Sequence, residues 1–267
     1  MKTLFSYLFS IALVAMLAVS ATAQSTLSAK EIIQNVDRKY AVEVSNKTIE
    51  GDLDLTDLSN KELKKRGNMD TREYKSRVEV PLTFRNCTFK GDVLAYKVVD
   101  KDGKRRSLLG SVMNNDSDNQ TLYTADFKEA VIFENCTFEG LAEFKYSDFA
   151  ENVSFADSKF RHSANFKYAK FNEGARFANA NFTDSANFKY AKFSDEANFA
   201  NTRINQTADF KYADFQEGVS FKGTHFQGYA DFKYTDFKRE GDLSQVTFSR
   251  GSDFKYAKGN RHISTNR

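Results

Sequence analysis

The stretch ANFKYAKFNEGARFANANFTDS, residues 164–185, is followed at once by a second one that begins ANFKYAKF, residues 186–193. Working outward in both directions, Phe-Lys-Tyr returns six times, at Phe144, Phe166, Phe188, Phe210, Phe232 and Phe254, always 22 residues apart. A fixed period of this length marks one structural unit stacked many times. Within the quoted unit the apolar centres are Phe166, Phe171, Phe177 and Phe182, so the steps alternate between five and six and four centres make one period. Such steps fit no 3.6-residue helical stripe. Small residues stand two positions before each centre, at Ala164, Ala169, Ala175 and Ala180. Side chains two apart share one side of an extended backbone, so each face sends one large and one small apolar group inward. The intervening Asn165, Lys167 and Tyr168 are expected to point outward.

Ala164-Asn165-Phe166, Ala186-Asn187-Phe188, Ala208-Asp209-Phe210 and Ala230-Asp231-Phe232 resemble the unit of the pentapeptide-repeat family, Ala-(Asp/Asn)-(Leu/Phe)-x-x. The resemblance covers nearly all of the chain after residue 23. One departure is that every second unit carries a sixth residue, in polar stretches such as Asn172-Glu173-Gly174 and Thr183-Asp184-Ser185. The resemblance implies an all-β fold, a right-handed quadrilateral parallel β-helix. The sixth residues fall on turn formers, so two corners of each coil are expected to be wider.

The N-terminal half holds the same register with interruptions. Thr48-Ile49-Glu50-Gly51, Thr88-Phe89-Lys90-Gly91 and Thr137-Phe138-Glu139-Gly140 look like one face in successive coils, and their spacings of 40 and 49 leave insertions of 18 and 27 beyond the period of 22. Leu55 and Ala95 then stand in the column of Phe144, so insertions near 59–77 and 96–121 are expected to leave one corner. Counted from Ile49 to Phe248, that first column gives eight coils. Cys87 and Cys136 each precede a centre of this column by two residues and are therefore vertical neighbours. A separation of about 4.8 Å is within disulfide reach, although parallel in-register side chains suit bridge torsions poorly. A disulfide and a pair of buried thiols both stay open, with the thiols favoured.

Residues 1–23 read as a signal peptide: Lys2, an apolar run from Leu4 to Val19, and Ala21-Thr22-Ala23 before the cut. The run is short for a membrane span. A mature chain without such a span, exported to a bacterial periplasm or the cell exterior, is expected. Residues 24–45 form an N-terminal cap, in which Ser28-Ala29-Lys30-Glu31 is a capping-box signature ahead of Ile32, Ile33 and Val36 and predicts a helix over 28–40. The β-helix is assigned to 46–258 and a polar tail to 259–267, with Gly259 where the period calls for Phe. An open coil end templates association, and the resemblance implies a homodimer through the C-terminal end as one way to shield it.

The whole chain carries 39 basic and 36 acidic residues, and Leu122–Lys258 carries 18 and 20. Near-neutral repeats lack the basic stripe of a nucleic-acid binder. They also lack the acidity of those family members that inhibit a DNA topoisomerase by mimicking DNA. His162, His225 and His262 occupy different positions in the repeat, and no phosphate loop or nucleophile motif occurs. No enzyme, metal or cofactor is expected. Two surfaces are candidates for binding. One is the outward ladder of Lys and Tyr, of which Lys167, Tyr168, Lys189 and Tyr190 lie beside Asn rather than Asp. The other is the basic clusters of the insertions, Lys64, Lys65 and Arg66 with Lys104, Arg105 and Arg106, expected on the same side of the molecule. The sequence therefore predicts an exported, non-catalytic scaffold that meets a protein or an anionic envelope component. Its alternative is a polyanion- or glycan-binding module using these same loops and ladders.

Overall fold

The computed structural model describes residues 25–259, apart from 67–71 and 106–119, together with 263–264. The signal-peptide reading of 1–23 and the cationic Arg106 lie outside the described residues. The chain winds as a four-sided coil with one ladder on each face, three sheets of nine strands and one of eight, parallel throughout except for two antiparallel strands in one of the nine-stranded sheets. Register confirms the column reading: Phe160 pairs with Phe182 and Phe182 with Ile204, one period apart. Across the insertions Ile49 pairs with Phe89 and Phe89 with Phe138.

Each column is a pile of near-parallel rings. Phe166 and Phe188 lie 4.9 Å apart at 3°, Phe160 and Phe182 4.5 Å apart at 4°, and Phe177 and Phe199 4.8 Å apart at 3°. Between columns the rings meet edge to face, as with Phe188 and Phe199 at 5.2 Å and 87°. Both geometries are favoured by the aromatic quadrupole. The Ala column keeps the strands close enough for this, and Ala164, Ala186, Ala208 and Ala230 are all buried.

Corners alternate in kind. At the five-residue steps the chain turns tightly: Ala169 N–H donates to Phe166 O at 3.0 Å with Tyr168 at φ 59°. Ala180 N–H donates to Phe177 O at 3.0 Å with Asn179 at φ 58°. A positive φ only at the third residue is the pattern of a type II turn. The six-residue steps, at Asn172-Glu173-Gly174 and Thr183-Asp184-Ser185, form the wider bends.

At the N-terminal end the helix Ala29–Asp37 begins where Ser28 accepts a hydrogen bond from Lys30 N–H, and it buries Ala29, Ile32 and Val36 on the first coil. The ladder reaches further back than the sequence boundary at 46. Ser25–Ser28 pairs with Lys47–Glu50, and Val42–Ser45 with Leu82–Arg85. The column of Ile49 therefore has nine rungs, with Leu27 as the first, rather than eight. Leu27 stands 22 residues before Ile49, one full period, so Thr26-Leu27 keeps the phase of Thr48-Ile49 across the intervening helix. At the other end Ile263–Ser264 adds a rung beneath Gly241–Asp242. Gly259 is explained by contact: its φ is 77°, and a Cβ there would lie 1.8 Å from Phe237 O.

Candidate functional site

Both insertions leave the tight corner between the Phe188 and Phe193 faces, replacing the turn that later coils make with Lys-Tyr. Glu62–Arg66 pairs antiparallel with Arg72–Val78, and Arg72–Val78 runs parallel to Thr121–Phe127 in unbroken register. Tyr96–Val99 closes the set antiparallel to Thr121–Phe127. The result is a four-stranded wing that continues the Phe193 face past the corner. Tyr74 and Tyr123 stack on it at 5.3 Å, with Lys61 Nζ 5.6 and 5.2 Å from their centres and Lys97 Nζ 5.1 Å from that of Tyr123.

The basic clusters do not meet as expected. Lys64 and Lys65 stand on the strand at one edge of the wing, and Arg105 bridges Val99 from beyond the strand at the other edge, at least three spacings or ~14 Å away, because the hairpins stack through their inner strands. Lys64 bonds Glu62 at 2.8 Å, and Arg77 bonds the same carboxylate at 2.6 Å. Lys65 and Arg66 take strand positions opposite Glu73 and Arg72. Lys104 is exposed at the tip, its N–H held by Asp100 Oδ1 at 2.9 Å. Arg105 folds back onto Asp92 and Asp52. With Lys97 bonded to Asp54, this lays the second hairpin over the Phe188 face of the early coils.

That covering bears on a second correction. Asn165 is buried, not outward: its Nδ2 donates to Glu143 Oε2 at 2.8 Å and its Oδ1 accepts Lys167 N–H at 3.2 Å. Glu143 is itself only 4% exposed. Burial, opposed by the Asn165 bond and by Lys145, pushes its carboxyl up to about 7. Sequence periodicity placed Asn165 on an outer face, and the hairpin that closes over its partner Glu143 with Tyr96 and Arg105 is not periodic.

Below the wing the Lys-Tyr corner forms a continuous ladder. Tyr96 tilts against Tyr146 at 5.9 Å, and Tyr146, Tyr168, Tyr190, Tyr212, Tyr234 and Tyr256 follow at 5.0, 4.7, 4.7, 4.6 and 4.8 Å. Lys145, Lys167, Lys189, Lys211 and Lys255 each hold Nζ 4.8 to 5.4 Å from the centre of the following Tyr ring. Lys233 turns instead to Asp231 at 3.1 Å and Asp253 at 3.5 Å. The Asn or Asp two residues earlier has a backbone duty: Asn187, Asp209, Asp231 and Asp253 accept the N–H of the Lys at 2.8 to 3.0 Å. Desolvation, then repulsion from the next Lys down, lowers the pKa of Lys145 and of Lys167.

The diagonal tight corner is built otherwise. Asn46, Asn86, Asn135, Asn179 and Asn201 occupy the same positive φ, between 51° and 58°. They form side-chain ladders, with Asn135 Nδ2 donating to Asn86 Oδ1 at 2.7 Å and Asn86 Nδ2 to Asn46 Oδ1 at 3.1 Å. Asn tolerates this backbone region, whereas a bulky side chain there is an outlier. The Tyr corner thus holds six aromatic residues in a conformation costing of order 1 kcal/mol each.

Cys87 and Cys136 lie in adjacent coils, buried, with both thiols free. Cys136 Sγ bonds Phe84 O at 3.4 Å and Cys87 Sγ bonds Arg85 O at 3.3 Å. Hydrogen bonding to Cys87 and burial push the Cys136 thiol up, so it stays protonated. A thiol titration of denatured, unreduced protein should therefore count both cysteines as free, and a count of none would establish the bridge. Among the described residues no group of His, Cys, Asp and Glu could hold a metal ion. His225 Nδ1 meets Thr247 Oγ1 at 2.8 Å as part of an outer ladder.

A family model described as pentapeptide repeats (9 copies) matches residues 122–170, 166–214, 188–236 and 210–258. Together the windows span 122–258, or 137 of 267 residues. Comparison with curated proteins and with solved structures finds no match. With its columns of stacked Phe, its four ladders and this match over half its length, the chain belongs to the pentapeptide-repeat family.

Proposed function

We propose that this protein is an exported, non-catalytic scaffold that docks onto a component of the bacterial envelope through the Lys-Tyr corner and the adjoining wing. The family is generally a scaffold fold without catalysis, which fits a chain whose motifs supply no nucleophile, base or phosphate loop. Export rests on the leader-like residues 1–23. The observation that carries the docking reading is internal. Lys-Tyr follows the Phe188 column in all six late coils, while the equivalent residues of the other tight corner vary through Asp157, Asn179, Asn201, Gly223 and Gln245. The backbone is the same at both corners, so turn geometry does not demand Tyr. Something that touches the ladder does.

The test replaces Lys167 and Lys189 by Gln and Tyr168 and Tyr190 by Asn, residues that suit the same turn. The expected result is an unchanged β spectrum with loss of the protein from the envelope fraction. A matching change of Asn179 and Asn201 to Gly should leave it bound. Equal retention of all three proteins would remove the docking reading.

A further inference from the structure

We infer that the upper part of the Lys-Tyr ladder, Lys145, Lys167 and Lys189 with their Tyr neighbours, is a binding strip for a linear acidic polysaccharide laid along the coil axis. This rests on the docking reading above and names the chemistry of the partner.

Charge decides which part of the ladder is used. Asp209, Asp231 and Asp253 alternate with the lower Lys residues, and Lys233 is held between two of them. Higher up, the same position is filled by Asn165 and Asn187, which bring no charge, and at the top by Glu143, whose buried carboxyl is pushed up to about 7 and takes the Asn165 amide at 2.8 Å. Among the described residues no ion pair within 4.0 Å engages Lys145, Lys167 or Lys189, although Lys145 Nζ lies 3.1 Å from Tyr96 Oη. Three ammonium groups on successive rungs, ~4.8 Å apart, with lowered pKa at the upper two, repel one another. An anion with charges repeated along a line relieves all three together.

Geometry then selects the kind of polyanion. Single-stranded nucleic acid is held by bases stacking on open aromatic faces. Here successive Tyr rings are 4.6 to 5.0 Å apart, less than the ~6.8 Å that two stacked layers on either side of a base require. The faces are filled by one another and by Lys, so only ring edges and hydroxyls face out. An acidic peptide fits poorly as well. The corner is not a sheet edge, since Tyr168 N–H already donates to Lys189 O and Asn165 O already accepts from Phe144 N–H. Its ~3.4 Å advance per residue also falls out of step with the rungs. A row of hydroxyls beside a row of ammonium groups suits a chain that offers both hydroxyls and repeated oxyanions. Carboxylated and sulfated polysaccharides are such chains.

The experiment measures binding of purified full-length protein to polygalacturonate and to heparin, with dextran and poly(dT) as comparison polymers. Binding to both acidic polysaccharides, weakened by salt, is expected, and none to dextran. Lys167→Gln with Lys189→Gln should cut affinity roughly tenfold, whereas Lys233→Gln, at the paired Lys, should change it less than about twofold. The inference is overturned if neither acidic polysaccharide binds, if dextran binds as well, if poly(dT) binds more tightly, or if Lys233→Gln matches the double change. Were the corner variant still released from the envelope while no acidic polysaccharide bound, the strip assignment would fail and the docking reading would stand.

Discussion

Phe188→Ala should lower stability by about 3–5 kcal/mol, and Phe254→Ala by roughly half of that. Phe188 is fully buried. It is sandwiched between Phe166 at 4.9 Å and Phe210 at 5.0 Å and touched edge-on by Phe177 at 5.1 Å and Phe199 at 5.2 Å. Truncation leaves a cavity that cannot collapse, because the rungs above and below are fixed by the backbone ladder and Ala186 is already small. Phe254 is half-buried and has one stacked neighbour, Phe232 at 4.6 Å, with an edge contact to Phe248 at 6.0 Å. Less contact is lost there, and water can enter. Denaturant unfolding of both variants against the parent measures the difference. Equal losses would mean that the middle of the coil is no better packed than its last turn, which contradicts the stacked columns.

The difference between those two sites was legible from spacing alone, because a repeat makes every coil report on its neighbours. Phe166 predicts the place of Phe188, and the pairing of Ile49 with Phe89 survives an insertion because both ends of the insertion keep phase. Phase also located the shared corner of the two hairpins from Leu55 and Ala95. What lay between phased residues was not legible. The order of strands within the wing depends on which hairpin edges pair, and no column records it, so the basic clusters were placed together when they lie at opposite edges. Closure of the site at Glu143, to which Asn165 is bonded, depends on a hairpin from another coil that brings in Tyr96 and Arg105. The unusual backbone of Tyr168 had a signal that went unread. Asn179 and Asn201 recur at the sister corner, and Asn with positive φ is a common pairing.

Glu143→Gln should stabilise the protein in a pH-dependent way, and the sign follows from the direction of its shift. Burial raises the carboxyl from an ordinary 4.5 to about 7 in the folded chain. Between these values the native state holds a proton that the unfolded state has released, so stability falls as pH rises. Below about 4.5 the group is protonated in both states and carries no penalty. Above about 7 it is ionised in both, and the folded chain bears the full cost of a carboxylate closed in by Asn165, Lys145, Asp92, Arg105 and Tyr96. That cost is on the order of 3 kcal/mol. Gln keeps the shape and an oxygen for the Asn165 amide but cannot ionise. Its advantage over the parent should be near zero at pH 4.5, grow through neutrality and level off above pH 8. The gain should concentrate in the second hairpin, whose Arg105 and Tyr96 close the site, and hydrogen exchange of Tyr96–Val99 would register it. A parent protein that outlasts the Gln variant at alkaline pH would mean that the ionised Glu143 is held by its cationic neighbours, and that the hairpin is fastened by charge instead of being loosened by it.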